Sequence, residues 1–246
     1  LEAKLTVTET AGTARTAGPV TTGVPFAKGT VKDVSRLRLF DANARPVPAD
    51  FHMLSPWPDG TVRVALITFL TDVPANGKAQ FLLRDSGKTA GPAPAIQVRD
   101  GRDLITLDTG AMQLTVSKKR SSLIESLTAD GKPVISAGGP GAILIAEDGK
   151  EVKLADTAPS SVELEHAGKL AATVVVKGRV GDLHKGLLGY TARITVYAGR
   201  KTAKIRFWLQ NDGAFGFKSR RGQFNDKTAE WFIFEGFKLR FQLAGK

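Results

Sequence analysis

The sequence predicts an all-β protein, a small β-barrel followed by a large antiparallel β-sandwich. Short runs in which apolar and polar residues alternate recur from Leu5-Thr6-Val7-Thr8 to Phe237-Lys238-Leu239-Arg240-Phe241-Gln242-Leu243. Turn residues punctuate them at short intervals, as at Asp59-Gly60, Asp130-Gly131 and Asp148-Gly149. No long stretch has helical period and caps, and Leu183 to Leu188 offers one turn of helix at most.

After the opening strand, Gly18 to Phe26 is bounded by Gly and Pro and reads as a short strand, which Ala27-Lys28-Gly29 turns. Val34 to Phe40 sets apolar residues against arginines as a half-buried strand. The centre of this half is Phe51 to Phe69, a strand, a corner and a second strand. Asp59-Gly60 there predicts a two-residue hairpin turn. On the exit strand Val62, Val64 and Leu66 make one face apolar throughout, while the face of Arg63, Ala65 and Ile67 becomes apolar partway along. Pro56 and Pro58 hold Trp57 in an extended approach. The alternating run from Gly77 to Arg84 closes the first unit.

Ser86 to Pro94 has the composition of a linker, so the expected domains are 1–88 and 95–246. Beyond it the expected strands are Ile96–Val98, Leu104–Asp108, Met112–Ser117, Leu123–Ala129 and Pro133–Ile135. Ala142–Ala146, Glu151–Leu154, Val162–Glu165, Ala171–Val180, Tyr190–Tyr197 and Lys204–Gln210 follow. The segment from Asn211 to Lys246 is crowded with phenylalanine and tryptophan, and most of these rings are expected to point into the sandwich.

A chain of 246 residues, 42% hydrophobic, can bury a substantial core. It has no cysteine, which excludes disulfides and thiolate metal sites. No stretch approaches the roughly 18 apolar residues of a membrane span. The formal charge is +11. Residues 1–92 hold 11 Lys+Arg against 8 Asp+Glu, and residues 93–246 hold 24 against 16, so the excess lies in the second half. This suits an acidic partner, whether nucleic acid, an anionic membrane or an acidic polysaccharide such as a uronic-acid polymer, and the charge does not choose among them. Nucleic acid fits less well, because the cations alternate with apolar residues, as in Lys204-Ile205-Arg206-Phe207, and form no aromatic-basic binding motif.

Phosphate-loop, nucleophile-elbow, zinc-protease and EF-hand motifs are all absent. His52, His166 and His184 stand far apart, so neither a metal nor another cofactor is expected. Trp57 reads either as a sugar-stacking platform or, more economically, as a lid on the barrel core. Arg63 follows it on the exit strand. In Phe217-Lys218-Ser219-Arg220-Arg221-Gly222-Gln223-Phe224, Lys218, Arg220 and Arg221 could grip a carboxylate or phosphate, or form a solvated basic loop.

Three stretches carry a resemblance: Gly18-Pro19-Val20 through Gly23-Val24-Pro25-Phe26-Ala27-Lys28-Gly29, then Leu37-Arg38-Leu39, then Trp57-Pro58-Asp59-Gly60-Thr61-Val62-Arg63. They resemble the amino-terminal barrel of the exo-rhamnogalacturonan lyase (PcRGLX/YetA-like) family. Asp108-Thr109-Gly110, Asp130-Gly131-Lys132, Tyr197-Ala198-Gly199 and Leu209-Gln210-Asn211 are similar to its central sandwich. The resemblance implies a RIFT-type barrel before the sandwich, with an α/α toroid to follow. The 246 residues contain no stretch that would form the toroid, so no catalytic residue is expected to carry over.

The expected function is therefore non-catalytic recognition of acidic carbohydrate, with Trp57, Arg63, Lys218, Arg220 and Arg221 as candidate contacts. The alternatives are a uronate-directed polysaccharide lyase, or a fragment of one, and a structural subunit self-associating through sheet edges in an extracellular fibre or coat. The start at Leu1 suits a processed or trimmed protein, expected outside the cell or in the periplasm. Ending on the strand Phe237–Leu243, the chain is expected to stand alone.

Overall fold

The computed structural model describes residues 1–86, 96–182, 186–212 and 234–245. Two compact units divide the chain: Leu1–Ala95 with Gly168–Ala171, and Ile96–Ala167 with Ala172–Lys246. Strands dominate both, with single turns of 3-10 helix at Val34–Arg36 and Leu154–Asp156.

The first unit holds β1 (Glu2–Thr8), β2 (Arg15–Pro25), β3 (Leu37–Asp41), β4 (Pro46–Val47), β5 (Ala49–Pro56), β6 (Val62–Val73) and β7 (Lys78–Asp85). They form two antiparallel sheets ordered β1-β7-β3-β4 and β2-β6-β5, the walls of a small barrel. Val24, Leu37, Leu39, Ala65, Ile67, Phe69, Phe81 and Leu83 fill it. Phe69 meets Phe81 edge to face, ring centroids 4.8 Å apart, the arrangement that ring quadrupoles favour.

Four local expectations change. β2 starts at Arg15, so it is long, not short. Val34–Arg36 is a 3-10 turn ahead of β3, because the Asp33 carboxylate accepts the Ser35 amide and caps it. The hairpin corner is not a two-residue turn. Gly60 donates its amide to the Trp57 carbonyl at 2.9 Å, and in the corner only Gly60 takes a positive φ, of 80°. Pro58 thus sits second in a β-turn that the left-handed Gly60 closes, a position its fixed φ suits. Finally, the fully buried face of β6 is that of Ala65, Ile67 and Phe69, while Val64 and Leu66 are half-buried. The β5 ladder slips twice, between Met53 and Ser55 and between Ser55 and Pro56. Such slips reset which residues face inward, so Val62 and Ala65 are both buried although three residues apart.

The second unit holds β8 (Gln97–Asp100), β9 (Leu104–Asp108), β10 (Met112–Ser117), β11 (Ser126–Ala129), β12 (Lys132–Ile135) and β13 (Gly141–Ala146). β14 (Glu151–Lys153), β15 (Ser161–Ala167), β16 (Ala171–Arg179), β17 (Leu188–Tyr197), β18 (Ala203–Asn211) and β19 (Phe234–Arg240) follow. Its sheets run β12-β11-β10-β9-β8, β14-β13-β19 and β15-β16-β17-β18, a sandwich around Leu107, Leu114, Ile143, Leu144, Tyr190 and Ile194. The Tyr190 hydroxyl donates to Ser121 Oγ at 2.6 Å, and burial pushes its pKa up.

β11 begins at Ser126, later than its apolar run suggests, because buried Leu123 adopts φ 64°. For the rings near the end of the chain, most of the expectation falls outside the described residues. Phe234 and Phe237 are exposed and Phe241 half-buried; the remaining aromatic residues of that stretch, 213–233, lie outside the described residues.

Candidate functional site

The first candidate site grows from the β5–β6 corner. Trp57 donates its backbone amide to the Thr61 carbonyl at 2.7 Å, and its indole Nε1 donates to the Phe26 carbonyl at 3.0 Å. The Phe26 amide in turn donates to the Arg63 carbonyl at 2.9 Å. The half-buried indole therefore bridges the corner and the loop after β2. Asp59 stiffens the turn from within. Its carboxylate accepts the Thr61 amide at 3.0 Å and the Thr61 hydroxyl at 2.6 Å, and those hydrogen bonds hold its pKa below the ordinary value. The Gly29 amide donates to the same hydroxyl oxygen at 3.0 Å, tying in the Lys28-Gly29 turn.

On this frame the exposed Arg63 guanidinium lies over the Trp57 ring, 5.0 Å from its centroid, a cation–π contact. The structure thus brings together two of the residues singled out in sequence. Lys218, Arg220 and Arg221 lie outside the described residues.

The second pair stands in the other unit, on β18. There Lys204, Arg206 and Trp208 are exposed, and Ile205, Phe207 and Leu209 between them are half-buried. The inward side is fixed by aromatic packing: Phe207 stacks on Tyr190 with centroids 5.6 Å apart and touches Phe237 at 4.7 Å. Trp208 therefore stands on the outer face, 41% exposed, with the Arg193 guanidinium 5.3 Å from its ring centroid. Glu165 fixes that guanidinium through both carboxylate oxygens, at 2.9 and 2.8 Å from Nε, and holds the Arg193 pKa above its ordinary value.

Two further concavities are less suited to a ligand. A cleft of about 410 Å³ in the barrel is lined by Glu9, Arg15, Pro19 and Thr71. Its acid is already spent on structure, since the Glu9 side chain is 4% exposed and accepts the amides of Ala11, Thr13 and Asn76. A hollow of about 260 Å³ in the sandwich is lined by Asp108, Gln113, Thr128 and Asp130, and Lys201 Nζ pairs with Asp130 at 2.5 Å. No group of three or more His, Asp or Glu side chains among the described residues could hold a metal ion. His52 is exposed on β5, His166 is half-buried on β15, and His184 lies outside the described residues.

Residues 3–79 match the PcRGLX-like N-terminal RIFT barrel domain, and residues 96–217 match the PcRGLX-like protein central beta sandwich domain. The chain belongs to the PcRGLX-like family. This is a family of β proteins related to rhamnogalacturonan lyase, and its RIFT barrel is the seven-stranded unit that carries Trp57 and Arg63. The chain is also similar to a Bacillus subtilis (strain 168) protein described as uncharacterized protein YetA, 31% identical over 191 residues. That match takes in 73% of this chain but spans 22% of the length of the relative.

In this PcRGLX-like chain the Trp208 pair escaped the reading of the sequence, although a signal for it was present. Trp208 follows Lys204 and Arg206 in strict two-residue phase, which puts it on the same outward face as the cations. The Glu165 clamp on Arg193 had no such signal, since 28 residues separate the two. No helix among the described residues is long and apolar enough to cross a membrane.

Proposed function

We propose that this chain recognises acidic polysaccharide without transforming it, in a secreted or periplasmic setting where such polymers lie, and that Trp57 and Arg63 form the contact. The observation that carries the reading is the stacked pair itself. An indole face suits the apolar C–H face of a sugar, and a guanidinium presents parallel donors to a uronate carboxylate. The hydrogen bonds of Trp57 and Asp59 fix the corner beforehand, which lowers the entropic cost of binding. Kinship with rhamnogalacturonan lyase supports a sugar polymer as the ligand class.

The test is calorimetric titration of the full chain with polygalacturonate in about 0.15 M salt, where long-range attraction to the +11 charge is screened. Polyacrylate and a neutral glucan serve as comparisons. The expected result is saturable binding to polygalacturonate alone, weakened about tenfold, or 1.4 kcal/mol, by Arg63→Ala. Equal affinity for polyacrylate, or an Arg63→Ala protein that binds as the parent does, counts against the reading.

A second reading, uronate-directed lyase activity, draws on the same kinship and on the short span of the relative that the chain covers. It requires ultraviolet absorbance of an unsaturated product to rise when the protein meets pectic polymers. A flat trace removes it.

A further inference from the structure

We propose a second polysaccharide-binding surface on the outer face of the β15-β16-β17-β18 sheet, where an acidic glycan lies along β18 with a sugar ring on Trp208 and carboxylates on Arg206 and Lys204. This goes beyond the barrel-corner site, which is built from other residues in the other unit, and shares with it only the ligand class.

Three observations support it. The first is the exposed ring. Trp208 is 41% exposed on a face whose neighbouring strand residues are cationic or polar, although burying an aromatic side chain is strongly favourable. The Arg193 guanidinium covers part of the ring, and Glu165 holds that guanidinium in place. The indole is thus presented in a fixed setting instead of collapsing onto the sheet.

The second is an unbalanced charge. Arg193 and Arg206 are direct cross-strand partners, and Thr195 faces Lys204 one step along. Like charges placed opposite each other on a sheet repel. Glu165 offsets Arg193, whereas Arg206 and Lys204 have no ion pair among the described residues. An arriving carboxylate supplies the missing counter-charge.

The third is spacing. Lys204, Arg206 and Trp208 lie in line on one face, spanning about 13 Å at the strand rise. Evenly spaced cations leading to one ring suit an extended polymer with a charge on successive units. A single-stranded nucleic acid calls for several stacking rings along a dense basic track, and among the described residues this face has one such ring.

The experiment compares the 246-residue chain with its Trp208→Ala, Arg206→Gln and Arg63→Ala variants, by titration with an oligogalacturonate and with a single-stranded oligonucleotide in about 0.15 M salt. Trp208→Ala and Arg206→Gln should each weaken oligogalacturonate binding about tenfold, 1.4 kcal/mol, with the thermal midpoint little changed. Their effect should add to that of Arg63→Ala. Loss in the Trp208 and Arg206 variants with none in Arg63→Ala sustains this surface and removes the barrel corner; the reverse removes this surface alone. Tighter binding to the oligonucleotide, or no binding to either probe, overturns the proposal. Should Trp208→Ala fail to fold, Arg206→Gln decides, since it alters only an exposed end of a side chain.

Discussion

Trp57 and Trp208 each carry an arginine guanidinium over the ring, at 5.0 and 5.3 Å, yet they are supported in opposite ways. Trp57 is half-buried and spends its indole N–H on the Phe26 carbonyl, so it is part of the frame of the barrel corner. Trp208 is supported from the side, by an arginine that Glu165 clamps, and its strand is anchored by Phe207 on the other face. The same chemical pair is half-buried and structural at the first position, and mainly exposed at the second. A stacking residue need not be a keystone, and the two units separate these roles.

Removing the ring should expose that difference most sharply. Trp57→Ala is expected to destabilise the barrel by roughly 3 kcal/mol, from lost burial and an orphaned Phe26 carbonyl, read as an earlier transition in denaturant unfolding. A loss under about 0.5 kcal/mol would place Trp57 with Trp208 as a surface group and erase the contrast. Next in size is Gly178→Ala, aimed at the sheet beneath Trp208. A Cβ there would lie 2.6 Å from the Tyr190 hydroxyl and 2.7 Å from its Cε1, and overpacking of this kind costs about 2 kcal/mol. The sandwich should unfold earlier and the barrel should not.

Acid should separate the units further. The Asn76, Ala11 and Thr13 amides hold the Glu9 pKa below its ordinary 4.5. The folded pKa lies below the unfolded one, so the contribution is present in full above 4.5 and fades as pH falls through the lower, folded value. Glu9→Gln is expected to flatten this part of the barrel's stability profile below pH 4.5 and leave the sandwich profile alone. A parallel acid response in the parent and the Glu9→Gln protein would assign the effect elsewhere. Smallest is Trp208→Ala, for which a stability change within about 0.5 kcal/mol is expected, alongside the loss of binding described above.

Much of this was legible in the sequence, because alternation, glycine turns and the lack of helical period depend on neighbours along the chain. The strands Leu104–Asp108 and Met112–Ser117 were readable to the residue. What failed depended on partners far away. Which of the two apolar faces of β6 is the fully buried one could not be read from alternation, because slips in the β5 ladder set it, and the start of β11 was misread because Leu123 is turned to a positive φ. Phe234 stays exposed although its hydrophobicity reads as core, because burial is decided by what packs across a strand. The Trp57–Arg63 pair was within reach of sequence because one tight turn joins the two residues, whereas Arg193 meets Trp208 only through the β17–β18 ladder.

The measurement that tests the central claim most directly is the nuclear magnetic resonance signal of the tryptophan indole N–H groups during titration with oligogalacturonate, each signal assigned by single substitution. Saturable movement of the Trp57 signal, unmatched by polyacrylate at equal charge, is the result the account expects. A Trp57 signal that stays still while the ligand binds, or that moves equally with polyacrylate, would contradict acidic-sugar recognition at the barrel corner.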